Sequence, residues 1–169
     1  MDAMEALLTR RSIRRFTPEP VSDADLERIL RAAMAAPSAG NLQPWHFVTI
    51  RERATLDAIP AFHPYAAMLA EAPLCIAVCG ELALQKYEGH WVLDVSAATE
   101  NLLLAAHALG LGAVWLGVYP VAERRAGVRR LLNLPDGVEC LSLVAVGHPR
   151  EPAPPLDRFQ PARIHAERW

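Results

Sequence analysis

Cysteine is scarce in this sequence, with Cys75, Cys79 and Cys140 the three in 169 residues. An odd number in apolar, strand-like settings excludes a disulfide framework and has no metal-ligand spacing, so buried reduced thiols are predicted. Net charge is nearly absent too, at −2, and the basic residues fall in two short clusters. That removes any global attraction to nucleic acid or an anionic membrane, and neither is an expected partner. The longest apolar-rich stretch, around Val92–Leu109, is broken by Asp94, Glu100, Asn101 and His107, which a membrane span tolerates poorly. Met1–Leu8 carries two acids and lacks the basic start, apolar centre and cleavage site of an export signal. The expected location is therefore cytoplasmic. There is no internal repeat and no second-domain boundary. The six histidines are scattered, and no Ser-His-Asp or Cys-His constellation is legible, so no catalytic side chain and no metal are predicted. What is abundant is apolar material, 52% of the residues, enough for one domain over 1–169 with a substantial core.

The patterning predicts short helices and strands in alternation. Ala3–Thr9 is a short amphipathic helix, and Ser22 caps a second whose Leu26, Ile29, Leu30, Ala33 and Met34 share one face. Trp45–Arg51 reads as a strand, Glu52–Ile59 and Ala61–Glu71 as helices, and Pro73–Gly80 as a buried central strand. His63, near the start of that last helix, is expected at the surface or at a cap. Trp91–Leu109 is the longest helix, apolar on nearly all faces, for burial in a core or across a subunit interface. Ala113–Val118 is a strand with Gly117 inside it, Val121–Leu132 a helix and Val138–Val146 a strand. The fold class expected is α+β: a mixed, mostly antiparallel sheet covered by helices. Arg150–Trp169, with Pro152, Pro154, Pro155 and Pro161 and Pro149 just before, cannot make its own core. It is expected as an arm that is disordered or lies along another surface such as a second subunit.

Three stretches carry chemistry. Ala36-Pro-Ser-Ala-Gly-Asn-Leu-Gln-Pro-Trp45 joins a helix to a strand with small residues, two prolines and the carboxamides of Asn41 and Gln43. It fits a stiff loop that grips a planar polar heterocycle. It also fits a loop whose amides satisfy its own backbone. In Arg10-Arg-Ser-Ile-Arg14, alternation puts Arg10, Ser12 and Arg14 on one side of an extended segment. Guanidinium forks and a hydroxyl suit a phosphate, and a solvated basic turn is the plainer alternative. Gly110-Leu-Gly-Ala-Val-Trp115 is not a dinucleotide fingerprint, because it runs from helix to strand and lacks the third glycine.

Taken in order and spacing, these stretches resemble the FMN-dependent nitroreductases. Asp94…Asn101-Leu…Ala105 and the Gly147-His-Pro149 ending extend the resemblance over nearly the whole chain. It implies a nitroreductase-like α+β homodimer with two FMN sites at the subunit interface. Arg10, Arg11, Ser12 and Arg14 would hold the phosphate and ribityl chain. Pro37, Ser38, Ala39, Asn41 and Gln43 would contact the flavin, in part from the partner subunit. Trp115, Leu116 and Gly117 would lie beside the ring with backbone contacts. Of the Lys-x-Arg pair often found near the family's C-terminus, Arg158 matches and Leu156 replaces the lysine. Gly147, His148 and Arg150 are further candidates. The long insertion that builds part of the substrate pocket in larger members is missing, and Tyr87, His90 and Trp91, beside Lys86, are the expected pocket wall, with a loop packed on the surface the equal alternative. The resemblance implies hydride transfer from NADH or NADPH through FMN to a small-molecule acceptor such as a nitroaromatic or quinone, in a ping-pong cycle. Another reaction on the same fold (dehalogenation, enoate chemistry, flavin breakdown) and a non-catalytic flavin-binding protein are the alternatives.

Overall fold

In the computed structural model, which describes residues 1–152, 154 and 156–169, four strands form one sheet between two helical layers. The strands are β1 (Trp45–Ile50), β2 (Leu74–Glu81), β3 (Gly112–Gly117) and β4 (Val138–Gly147), in the order β1-β2-β4-β3, with every neighbouring pair antiparallel. The helices are α1 (Ala3–Thr9), α2 (Asp23–Met34), α3 (Arg53–Ala58), α4 (His90–Ala108) and α5 (Ala122–Leu132). The α+β expectation stands, and the sheet is purely antiparallel.

β2 shows why a continuous apolar run becomes a central strand. Its side chains alternate between two faces, and both are covered. Leu74, Ile76 and Val78 enter the core under α2 and α4, with Ile29, Ala33, Val95 and Leu102. Cys75, Ala77 and Cys79 enter the opposite core, with Phe16, Leu56, Ile59, Leu69 and Val128. The three cysteines are free and buried, and desolvation pushes the Cys75 thiol up to about 12, which makes it an inert packing group.

The helix expected over Ala61–Glu71 does not form. Two single 3₁₀ turns, Ile59–Ala61 and Ala67–Ala70, flank an irregular stretch. Pro60 and Pro64 remove two backbone donors within five residues. The stretch is held instead by local turns such as His63 N–H to the Ile59 carbonyl at 3.1 Å. α4 is not buried all round in a single chain: Trp91, Val95, Ala98, Leu102 and Leu103 face the core, whereas Leu93 is 63% exposed.

Residues 10–17 run along the outside of the sheet. Ser12 bridges Ala113 of the edge strand β3 in parallel, with Ile13 N–H donating to the Ala113 carbonyl at 3.0 Å. Phe16 bridges Pro149, and the side chain of Arg150 donates to the Phe16 carbonyl at 3.1 Å. The Cβ of any residue at 112 would meet Ile13 Cβ at 2.8 Å, so Gly112 is what lets this segment lie so close.

Candidate functional site

α4 anchors the parts of the site from below. Asp94 is a carboxylate only 5% exposed on an apolar helix, a costly placement unless a donor meets it. Its Oδ1 accepts the Ala39 N–H at 2.9 Å, which pins the 36–45 loop to the helix. Asn101 donates to the Ala32 carbonyl at the end of α2 (3.1 Å), and Glu100 pairs with Arg10 at 3.3 Å. Near its end, His107 meets Thr9 Oγ at 2.8 Å. Thr9 Oγ gives its own proton to the Glu5 carbonyl, so His107 is the donor in that contact.

The loop is a strained, preformed surface. Gly40, Asn41 and Gln43 take φ of 62°, 55° and 51°, values that side chains other than glycine rarely adopt. Ser38 Oγ accepts from Gln43 N–H at 3.0 Å, and Gln43 Nε2 donates to Asn41 Oδ1 at 3.0 Å. The two carboxamides thus bond to each other and not to the loop's own backbone. That leaves Asn41 Nδ2 and Gln43 Oε1, a donor and an acceptor, at the exposed side of the pair. Pro37 is exposed and Ser38 and Ala39 half-buried.

The Arg10–Arg14 cluster divides into distinct roles. Arg14 and Ser12 are exposed and line a cavity of about 390 Å³ with Glu151, Pro152 and Pro154. Arg10 is held by Glu100. Arg11 donates to the carbonyls of Leu8, Arg10, Pro154 and Leu156, so its fork fastens the C-terminal arm to the same chain. Arg158 shares a cavity of about 480 Å³ with Arg10, Arg11 and Leu156.

Trp115, Leu116 and Gly117 form the open end of β3. As an edge strand, β3 has an outer row of backbone groups without a sheet partner beyond the Ser12 bridge. The Ala113 carbonyl points outward to Ile13 and the Val118 N–H inward to Leu141, so alternation turns the backbone groups of Trp115 and Gly117 outward. A Cβ at Gly117 would meet nothing within 4 Å. Leu116 offers nothing outward, because its side chain is in the core and its backbone groups face β4.

Three other predicted residues sit apart from any such opening. Gly147 is closed in, with Pro73 Cδ at 2.7 Å from the Cβ position. His148 lies 3.8 Å from Glu19, and Arg150 braces Phe16. Trp91 is in the core, its ring 2.6 Å from where a Cβ on Gly80 would stand. Tyr87, on the exposed turn before α4, and His90, the helix's half-buried first residue, pack edge to face at 5.0 Å, so Trp91 stands apart from the other two.

The two halves of the predicted site do not meet in one chain. The loop enters the sheet at Trp45, level with Gly80 of β2, whereas Ser12 lies by Ala113, level with Val146 and Leu74. These are diagonal corners, roughly 20 Å apart along the strands and 14 Å across them by strand geometry. Neither cavity beside the arginines has a lining residue from the loop.

Residues 7–148 match the family model described as the nitroreductase family. The chain belongs to the nitroreductase family. The likenesses extend over the full chain. A protein of Methanothermobacter thermautotrophicus, named provisionally as an NADH dehydrogenase/NAD(P)H nitroreductase, is 48% identical over all of this chain and 88% of its own length. A crystal structure of a protein from Parabacteroides distasonis, provisionally named in the same way, superposes with a TM-score of 0.95 at 39% identity, covering 98% of each chain. A nitroreductase from Desulfovibrio desulfuricans, likewise named provisionally and solved in complex with FMN, superposes with a TM-score of 0.86 at 33% identity, over 100% of this chain and 99% of its own.

Within this nitroreductase fold, sequence reasoning missed two side chains at the β3 edge. His63 is not at the surface or a cap, as expected, but 1% exposed in the core, with Nε2 3.0 Å from the Gly117 carbonyl. The irregular turns after α3 swing it inward. Arg124 of α5 donates to the same carbonyl at 2.9 Å; nothing in its sequence surroundings separates it from the neighbouring arginines. Among the described residues no cluster of His, Cys, Asp or Glu is arranged to hold a metal ion, and no helix is long and apolar enough to cross a membrane.

Burial, first of all, pulls His63 below the usual histidine range, and Arg124 adds to the effect against the Gly117 carbonyl. His107 is lowered as well, by burial and then by Arg10 and Arg11. For a depressed folded pKa the unfolded chain binds more protons, so the stability these groups contribute is present above about pH 6.5 and lost as pH falls below it. The melting temperature is expected to drop between about pH 7 and pH 5, less steeply in His107→Gln. A melting temperature constant over that window would show that neither imidazole distinguishes the folded from the unfolded state.

Proposed function

We propose that this chain is an FMN-dependent oxidoreductase working as a homodimer, taking hydride from NADH or NADPH and reducing nitroaromatics, quinones or similar flat acceptors. The observation that carries it is the outward edge of β3 at Trp115–Gly117: backbone groups with no strand beside them, open space over Gly117, and Ser12 and Arg14 on the same edge. A flat ring with a phosphate tail matches that combination. Bound FMN supplies the hydride chemistry. The chain's own groups bind and orient it. Ser12 and Arg14, with Arg10, hold the phosphate. The Gly117 N–H and the outward Trp115 backbone meet one edge of the ring. The strained Asn41–Gln43 pair presents its free donor and acceptor to a heterocycle. With donor and acceptor using the same face in turn, the cycle is ping-pong, and no side-chain nucleophile is needed.

The diagonal separation of the loop from the arginine segment is the reason for a dimer. The loop of one copy would complete the site built by β3 and Arg10–Arg14 of the other. Exposed Met4, Leu7 and Leu8 of α1, Leu93 of α4 and Phe159, Ile164 and Trp169 of the arm supply apolar area to cover.

The visible spectrum of the purified protein tests this directly. The protein is expected to be yellow, to bleach on adding NADH or NADPH, and to regain its colour with a nitroaromatic acceptor. A colourless protein that takes up no FMN ends the proposal. A bound flavin that neither nicotinamide reduces would make it a flavin-binding protein without this activity.

A further inference from the structure

The Gly117 carbonyl has an unusual environment. Gly117 sits at the outer row of an edge strand, just before the point where the Val118 and Tyr119 N–H groups both converge on the Leu141 carbonyl, at 3.0 and 3.1 Å. It has no side chain and open space above it, so nothing intrinsic fixes its backbone. Yet its carbonyl accepts two side-chain hydrogen bonds from two elements of the same helical layer. His63, from the turns after α3, donates through Nε2 at 3.0 Å, and Arg124, from α5, donates at 2.9 Å. With both lone pairs used, the oxygen is saturated.

The arrangement was built at a cost. His63 is 1% exposed, and its Nδ1 is buried without a partner among the described residues. Because a carbonyl can only accept, the proton must sit on Nε2, which leaves Nδ1 as an unpaired acceptor in the core. A residue present only to fill space would be apolar there. Tyr65 frames both donors: its ring meets His63 edge to face at 6.4 Å, and the Arg124 guanidinium lies 5.3 Å from its centroid.

We infer that His63 and Arg124 are positioning residues, which clamp the Gly117 carbonyl from two sides and so fix the outward backbone edge at Trp115–Gly117 against which the ring of the cofactor lies. This rests on the reading of that edge as the flavin wall. Neither side chain has to touch the ring. Their effect passes through the peptide plane after Gly117, which they hold in one orientation. A clamped edge presents the Gly117 N–H at a fixed place and removes the carbonyl, a repulsive neighbour for ring acceptors, from the edge.

The test uses His63→Leu, Arg124→Met and His63→Gln in the FMN-loaded protein. Single-turnover reduction by NADH or NADPH, per bound flavin, is expected to slow about 5- to 10-fold in the Leu and Met variants, as for loss of one hydrogen bond. Flavin occupancy and donor KM should stay near those of the parent. His63→Gln keeps an N–H donor and should recover to within about threefold. A second readout needs no cofactor: amide exchange over residues 115–118 of the flavin-free chain should accelerate in the Leu and Met variants and not in Gln. Arg124 is half-exposed, so its variant remains informative if His63→Leu fails to fold. Unchanged exchange, or a lower melting temperature with an unchanged reduction rate per flavin, overturns the inference. If the parent protein binds no flavin, the proposed function falls, and the exchange result alone decides whether the clamp exists.

Discussion

Replacing Arg10 and Arg14 together by alanine is expected to weaken FMN binding by about 10²- to 10⁴-fold, because two charge-assisted contacts of about 1.5–3 kcal/mol each are lost. The fold should survive. Arg14 is exposed, and the partner that Arg10 leaves behind, Glu100, has a side chain 44% accessible to water, so no buried charge is stranded. The cluster is not four equivalent arginines. Arg11 is spent on the carbonyls of Leu8, Arg10, Pro154 and Leu156, so Arg11→Ala should first release the arm. Isothermal titration of the flavin-free variants with FMN separates the cases. A double variant that purifies fully loaded, or binds with the parent's affinity, moves the phosphate away from this segment.

Much of this was legible in the sequence, for identifiable reasons. β2 and β4 are apolar, β-branched runs between turn residues, and a covered sheet asks for little more. Ser22 capped α2 as expected, its Oγ accepting from Asp25 N–H at 3.0 Å. The 36–45 loop advertised itself by composition, with Gly40 and Asn41 suited to two of its positive φ angles, while the third falls on Gln43. What the sequence hid depends on distance. Asp94 stood out as an interruption of an apolar run and as part of the resemblance; that its carboxylate serves Ala39, 55 positions away, is a tertiary fact. His63 looked like one histidine among six scattered ones, because the prolines that break the expected helix decide its direction. The aromatic cluster at the start of α4 is divided by burial. Trp91 shares the core-facing stripe of α4 with Val95, Ala98 and Leu102, whereas Tyr87 lies before the helix and is exposed. The division of labour among Arg10, Arg11 and Arg14 could not be read from their spacing either, since it is set by Glu100 and by the arm.

Two glycines test how far local crowding decides a position. Alanine at Gly127, on the buried side of α5, is favoured by helix propensity by about 1 kcal/mol. Its Cβ would stand 2.3 Å from Phe62 Cγ and 2.4 Å from Cδ2, and a planar ring attached through Cβ at 2.8 Å cannot yield by bending one bond. Overpacking typically costs about 1–3 kcal/mol, and three contacts this short put the cost near the upper end, so crowding wins. Gly127→Ala is expected to lose about 2 kcal/mol net and to melt roughly 4–8 °C lower. An unchanged or higher melting temperature would mean that Phe62 swings aside freely. The same substitution at Gly117 meets nothing within 4 Å, and its melting temperature should stay within about 2 °C of the parent's. There the added methyl projects into the space assigned to the flavin ring, and its effect should appear as weaker FMN retention and slower reduction by NAD(P)H. A Gly117→Ala protein that binds and reduces FMN like the parent would remove the ring from this edge. The opposite pattern, a stable Gly127→Ala with a melted Gly117→Ala, would overturn the packing described for both.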